Sequence, residues 1–111
     1  MEAPEFEQGQ ESSSNFDIEN VRPFLERVSR LIESGFGETE ILQVCAVIDA
    51  MEHDEEKERE FPIGYAGIAC HLRVGIFMDE VDTPDIHFFT TPELALQIDD
   101  EMEKFFDELE I

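Results

Sequence analysis

The chain of 111 residues is long enough for one domain, and a hydrophobic fraction of 41% with 10 Phe is enough for a packed core. Acidic residues outnumber Lys and Arg by 29 to 7, which gives a formal net charge of -22. This charge excludes direct binding to nucleic acid or to an anionic membrane, because phosphate contacts require Lys and Arg. A basic protein is therefore the expected partner.

Residues 1–16 are polar, acidic and without hydrophobic periodicity, which predicts a flexible tail before a single domain at 17–111. The opening sequence MEAPEFEQGQ has neither the basic nor the apolar segment of a secretory signal. Cys45 and Cys70 lie in apolar patterns, which is typical of free, buried thiols in a reducing compartment. These features favour a cytoplasmic protein.

Two helices are predicted to follow the tail. The first runs from about Val21 to Ser34, with Asn20 as its N-cap and Pro23 in its first turn. The second starts near Glu38, and its apolar stripe ends at Met51, where the polar run EHDEEKERE prolongs the helix beyond the core. The short connection between the two helices predicts an antiparallel helical hairpin.

The stretch from Ile68 to Met78, IACHLRVGIFM, is the only long run that alternates strictly between two faces. A period of two over this length predicts a half-buried strand at the centre of a sheet. A shorter strand precedes it at Phe61 to Gly67, and a returning strand follows at Ile86 to Thr90, after the turn DEVDTPD. The three strands predict an antiparallel meander.

A third helix is predicted to start at Pro92, because Thr91 is a good N-cap and proline is favoured at the first helical position. It continues to the C-terminus with many acidic residues. The expected fold is therefore α+β in the order α-α-β-β-β-α. It consists of an N-terminal helical hairpin, a three-stranded antiparallel sheet and an acidic C-terminal helix.

Residues 79–111 hold twelve of the acidic residues and a single basic residue, Lys104. Like charges at i,i+4 spacing on a helix destabilise it by about 0.2–0.5 kcal/mol per pair, so folding gains nothing from this concentration. A solvated face kept for solubility or high salt is the alternative, but solubility needs a far smaller charge. Together with an aromatic anchor, the acids predict a partner-binding surface made of Phe77, Asp79, Glu80, Asp82, Asp85, Phe89, Asp99, Asp100, Glu103 and Asp107.

Motifs for catalysis and metal binding are absent from the sequence. The three histidines do not have ligand spacing, and the acidic segments lack the pattern of a calcium loop. Adjacent residues on a strand point to opposite faces, so Cys70 and His71 cannot act as a nucleophile and base pair, whereas a pairing of Cys45 with His71 stays open. We therefore expect no catalytic residue, no metal and no cofactor.

In its small size, acidity and lack of motifs, the chain resembles bacterial immunity proteins and phage-type DNA-mimic inhibitors. That resemblance implies a stoichiometric inhibitor, an immunity protein that covers the active or nucleic-acid-binding site of a toxin nuclease. The alternative is a DNA mimic that blocks a host DNA-binding or defence protein. Two other classes stay open, a structural or adaptor subunit that uses an exposed strand edge and a small enzyme with a Cys/His or carboxylate site. We expect a monomer or a weak dimer.

Overall fold

The computed structural model describes residues 10–80 and 83–110. In this part of the chain, four strands form one antiparallel sheet in the order β1-β4-β3-β2, and three helices accompany it. The class is α+β. The elements in chain order are β1 (Gln10–Asn15), α1 (Ile18–Leu31), α2 (Glu38–Ala50), β2 (Glu55–Tyr65), β3 (Ile68–Glu80), β4 (Thr83–Thr90) and α3 (Pro92–Leu109).

The expected three-stranded sheet with an N-terminal helical hairpin is wrong, because a strand precedes the helices. β1 pairs with β4 along its whole length, from Gln10 opposite Thr90 to Asn15 opposite Asp85. The order is therefore β-α-α-β-β-β-α, and β1 lies in the segment that the sequence assigned to a tail. Its sequence QESSSN has no apolar alternation that would predict a strand. Backbone pairing with β4 forms this strand, without burial of large side chains from β1 itself.

The polar run after α2 is a strand, and the predicted helical extension is also wrong. α2 ends at Ala50, and β2 pairs with β3 along its full length, from Glu55 opposite Met78 to Tyr65 opposite Ile68. The charges in EEKERE alternate in sign, so a strand sorts them by face. The acidic residues of this run at 56, 58 and 60 lie on one face, and the basic residues at 57 and 59 lie on the other.

The core lies between one face of the sheet and the helices. The alternation predicted for β3 is confirmed, since Leu72, Val74 and Ile76 are fully buried on one face. From the helices, α1 contacts both α2 and α3, while α3 covers β1 and β4 and α2 covers β2 and β3. No helix in the described ranges is long and apolar enough to cross a membrane. No helix of the described residues covers the opposite face of the sheet.

α3 begins where the sequence predicts. Thr91 is its N-cap, and the side-chain oxygen of Thr91 accepts a hydrogen bond from the backbone N–H of Leu94 at 3.4 Å. Pro92 occupies the first helical position, where its missing N–H costs nothing. α1, in contrast, starts at Ile18, before the predicted cap at Asn20. The strong start of α3 fixes the path of the acidic helix directly after β4.

A cluster of phenylalanine rings ties β1 to the helices. Phe16 follows β1 and is 1% exposed. Its ring centroid lies 5.1 Å from that of Phe24 on α1 and 5.2 Å from that of Phe106 on α3. Its backbone N–H also donates to the carbonyl of Pro84 at 3.0 Å. Phe16 therefore anchors the first strand to both the sheet and the helical layer.

Truncation of this anchor should destabilise the whole domain. We expect Phe16→Ala to lower the free energy of unfolding by about 3–5 kcal/mol, the usual cost of emptying a phenylalanine site. Urea denaturation followed by circular dichroism measures this difference. The control is Leu42→Ala, because Leu42 on α2 is 47% exposed and its truncation should change stability by about 0.5 kcal/mol at most. Equal effects of the two substitutions would contradict the anchoring role of Phe16.

Candidate protein-binding surface

The uncovered face of the sheet carries both aromatic anchors that the sequence predicted. Phe77 on β3 and Phe89 on β4 are half-buried there, whereas Phe88 is fully buried in the core. Successive residues of a strand point to opposite faces, which separates Phe88 from Phe89. Two aromatic rings thus lie at the surface of the inner strands, on the side away from the helices.

Carboxylates flank the ring of Phe77. In the register of the sheet, Phe77 lies between Asp85 on β4 and Glu56 on β2. Side chains directly opposite each other in an antiparallel pair have Cβ atoms about 4.5–5.5 Å apart, so both carboxylates are its immediate neighbours. Asn15 on β1 holds Asp85 in place, because its side-chain amide donates to Asp85 Oδ1 at 2.8 Å.

The ring of Phe89 has a mixed charge environment. It lies between Glu11 on β1 and Arg73 on β3. The guanidinium carbon of Arg73 is 5.1 Å from the centroid of the Phe89 ring, within range of a cation–π interaction. Glu11 also contacts the Nδ1 atom of His87, the neighbouring outward residue of β4. The contact with the Phe89 ring therefore places the Arg73 guanidinium against the sheet surface.

β2 adds a column of carboxylates that the sequence analysis missed. Glu56, Glu58 and Glu60 are all exposed on the uncovered face, at intervals of about 6.8 Å along the strand. Among the described residues, no ion pair involves any of the three. The alternation of charge sign in EEKERE was the signal, since only a strand separates these acids from the intervening bases. We define the acidic sheet face as Glu11, Glu56, Glu58, Glu60, Phe77, Asp85 and Phe89.

The predicted carboxylates of α3 lie on the helical side of the sheet, beside β1. Asp99 accepts a hydrogen bond from the hydroxyl of Ser12, which is 2% exposed. Asp100 pairs with Lys104 at 3.2 Å, and Glu103 is exposed. Asp99, Asp100 and Glu103 line a shallow groove of about 600 Å³ between the helix and the strand. We define this α3–β1 groove by Ser14, Leu96, Asp99, Asp100, Met102, Glu103, Phe106 and Asp107.

The predicted binding residues therefore fall on two surfaces. Phe77, Asp85 and Phe89 belong to the acidic sheet face, and the four carboxylates of α3 belong to the α3–β1 groove. Asp82 and the side chains of Asp79 and Glu80 lie outside the described residues. β1 has its outward side chains on the first surface and its inward side chains beside the second, so the two surfaces meet at this edge strand.

The arginines of α1 neutralise acids of the other helices. Arg27 binds Glu101 of α3 at 3.4 Å and also pairs with Glu108. Arg22 bonds to Glu38 of α2 at 2.5 Å. These pairs use positive charge within the helical layer, where it ties the helices together. Among the described residues, the acidic column of β2 forms no ion pair, and its one basic cross-strand neighbour is Arg73, opposite Glu60.

Groups suited to catalysis do not converge in the described part of the chain. No cluster of three or more His, Cys, Asp or Glu residues there could hold a metal ion. Cys45 on α2 and Cys70 on β3 are both free thiols. Burial raises the pKa of both, which disfavours the nucleophilic thiolate.

Comparisons with known proteins assign no family to this chain. No family model matches it, and the searches of curated proteins and of solved structures give no significant match. The geometry and charge of the two surfaces are therefore the guide to function.

The thiols offer a test of the enzyme alternative. Because burial raises the pKa of Cys45 and of Cys70, both should react with iodoacetamide more slowly than free cysteine at neutral pH, and faster as the pH rises. Mass spectrometry of the alkylated chain gives both rates, and the urea-unfolded chain is the control with freely accessible thiols. A thiol that reacts faster than free cysteine would indicate an activated nucleophile.

Proposed function

We propose that this protein is an acidic inhibitor that binds a basic protein and covers its nucleic-acid-binding or active site. As an immunity protein, it would neutralise a toxin nuclease. The observation that supports this proposal most is the acidic sheet face, on which Phe77 and Phe89 lie among five carboxylates and Arg73, with no helix of the described ranges over them.

The arrangement suits protein recognition. Binding energy at interfaces is concentrated in a few buried aromatic or arginine side chains near the centre, with polar groups around them. Phe77 and Phe89 lie on the inner strands and are already half-buried, so little side-chain freedom is lost when a partner covers them. The surrounding carboxylates raise the association rate with a basic surface.

The acidic column of β2 gives a reason for a nucleic-acid site as the target. Glu56, Glu58 and Glu60 present negative charges in a straight, evenly spaced row on a rigid strand. A protein surface that binds a phosphate backbone has Lys and Arg side chains arranged to meet such a row. The column could therefore occupy that surface in place of a phosphate backbone.

Stability does not account for these acids. Neighbouring carboxylates on one strand face repel each other, and a net charge far from zero destabilises the compact state. Solubility of a small domain is satisfied by a net charge of magnitude about 2–8, whereas this chain carries -22. Binding supplies the favourable interaction that folding does not.

The alternatives differ in what they need from the structure. A phage-type DNA mimic would use the same acidic sheet face on a different target, a host DNA-binding or defence protein. A small enzyme needs a pocket containing Cys45 or His71. Neither residue lines the α3–β1 groove or a second shallow groove, between α2 and β2, which is lined by Gln43, Ala46, Val47, Ala50 and Arg59. The inhibitor is therefore the function that the geometry supports best.

The direct test is capture of the partner followed by an activity assay. The full chain is immobilised, exposed at low salt to lysate of its source cell, and eluted with a salt gradient. We expect one basic protein at a fixed molar ratio, whose nuclease activity or DNA binding is abolished by a stoichiometric amount of the chain. A nuclease would indicate an immunity protein, and a DNA-binding protein without nuclease activity a DNA mimic. A mixture of basic proteins that elutes at low ionic strength would contradict the proposal.

Substitution of the two rings should weaken the complex through its dissociation rate. We expect Phe77→Ala with Phe89→Ala to raise the dissociation rate at least about tenfold, because interface aromatics are typical hot spots. Surface plasmon resonance with the captured partner measures this rate. Leu42→Ala, which truncates an exposed apolar side chain on the helical layer, should leave it unchanged.

Neutralisation of the acidic column should affect association instead. We expect Glu58→Gln with Glu60→Gln to slow association about fivefold at low salt and to reduce its salt dependence. The matched control is Asp49→Asn with Glu52→Gln, which removes the same charge from the end of α2. The column variant should keep the stability of the unmodified chain within about 0.5 kcal/mol, because both positions are exposed. Equal association rates for the two variants would show that the column has no special role.

A further inference from the structure

β1 has a free edge. It is the outermost strand of the sheet on one side, and nothing in the described ranges pairs with its outer edge. The backbone N–H of Phe16 donates to the carbonyl of Pro84 on β4 at 3.0 Å. Because antiparallel ladders alternate between hydrogen-bonded and non-hydrogen-bonded pairs, the odd-numbered residues Glu11, Ser13 and Asn15 direct their backbone N–H and C=O groups away from β4.

The opposite edge of the sheet is protected, because its end at Gly64 is bonded to another segment and the remainder carries charged residues. The connection after α1 bonds to β2, since the N–H of Gly64 donates to the carbonyl of Ser34 at 3.0 Å and the N–H of Glu33 donates to the carbonyl of Gly64 at 2.9 Å. Pro62, also on β2, has no N–H to offer. Proteins commonly protect edge strands by a covering loop and by proline. β1 has neither protection in the described ranges, and its outward residues are Glu, Ser and Asn.

The α3–β1 groove lies beside this free edge and has apolar side chains along it. Leu96 is 59% exposed, and Phe106 is half-buried. The two are ten positions apart on α3, which corresponds to about 15 Å along the helix axis. An extended segment of four or five residues covers about the same length, so the groove is matched to a short strand.

The negative charge of the groove favours a basic ligand. Its lining includes four acidic residues, Asp99, Asp100, Glu103 and Asp107, and the single basic side chain of α3, Lys104, pairs with Asp100. The sequence before β1 contains Glu2, Glu5 and Glu7 and no basic residue, so it has the same sign of charge as the groove. A second copy carries -22 and is repelled likewise. A basic segment is electrostatically complementary.

We propose that the free edge of β1 and the α3–β1 groove together bind an extended basic segment of the partner as an added strand. Its backbone pairs with Glu11, Ser13 and Asn15, as in other cases of strand addition to a sheet edge. Its apolar side chains pack on Leu96 and Phe106, and its Lys or Arg side chains meet the carboxylates of α3. This inference rests on the proposed function, since it assigns a second contact to the same basic partner.

The test uses a defined probe. A capped peptide with the length of β1, six residues, and the sequence Val-Thr-Lys-Thr-Val-Thr, whose apolar and basic side chains share one strand face, is titrated into the isotope-labelled full chain. We expect saturable binding with NMR shifts at the amides of Glu11 and Ser13. The same peptide with N-methyl groups on alternate residues keeps its charge and loses strand pairing, so it should bind about tenfold more weakly.

Substitutions on the chain give the matching control. Ser13→Pro removes an outward N–H and no bond to β4, so its urea midpoint should stay unchanged while peptide affinity falls about tenfold. Ser13→Ala keeps the N–H and should bind like the unmodified chain. If Ser13→Pro unfolds, the N-methylated peptide alone decides. Equal affinity of the two peptides would overturn the proposal, because charge without strand pairing would then explain binding.

The outcomes separate this inference from the proposed function. Phe77 and Phe89 lie on the acidic sheet face, away from the α3–β1 groove. The double variant Phe77→Ala with Phe89→Ala should therefore leave peptide affinity unchanged. Partner capture without peptide binding would overturn the added strand alone, and peptide binding without a captured, inhibited partner would overturn the proposed function. Dimerisation that Ser13→Pro abolishes in sedimentation would assign the edge to a second copy and overturn the basic segment.

Discussion

The pairing of β3 with β4 is the constraint on which the rest of the structure depends. Its register places Val74 opposite Phe88 and Ile76 opposite Ile86, and all four side chains are buried beneath the helices. A shift by one residue would turn these side chains to solvent, so the core itself fixes the register. The same pleat then leaves the intervening residues on the uncovered face. The register that the core fixes therefore also fixes the backbone positions of Phe77 and Phe89 on that face.

The net charge imposes the second constraint. A domain with this excess of carboxylates folds because its core is large in aromatic area and because two of its bases, Arg22 and Arg27, pair with acids of neighbouring helices. Arg27 lies over the ring of Phe105 as well as pairing with acids of α3, so one side chain serves both packing and charge compensation. The acids of β2 and of the α3–β1 groove are left to face outward. Their repulsion is tolerated by the fold and becomes useful only with a partner present.

Local signals in the sequence predicted some elements and missed others for identifiable reasons. β3 and α3 were found because strict alternation and the Thr91–Pro92 start are properties of the chain itself. β1 was missed because its buried inward residue is polar. Ser12 donates a hydrogen bond to Asp99, so β1 lacks the alternating apolar side chains by which a strand is recognised in a sequence. The run EEKERE fits both helical spacing and strand alternation, and only its partner β3 decides between them. The acids and rings of the site were visible in the sequence, but their division between two surfaces follows from the sheet order.

The Ser34 bridge and Pro62 protect one end of the β2 edge, and charged side chains at 55–60 protect the rest, which limits the stoichiometry of any assembly built on this sheet. A sheet with two open edges is a template that can grow from both ends into a fibre, whereas a sheet with one open edge can accept a strand once and then stops. In the described part of the chain, β1 is the edge without these protections. Strand pairing through this sheet therefore favours a discrete complex over a fibre.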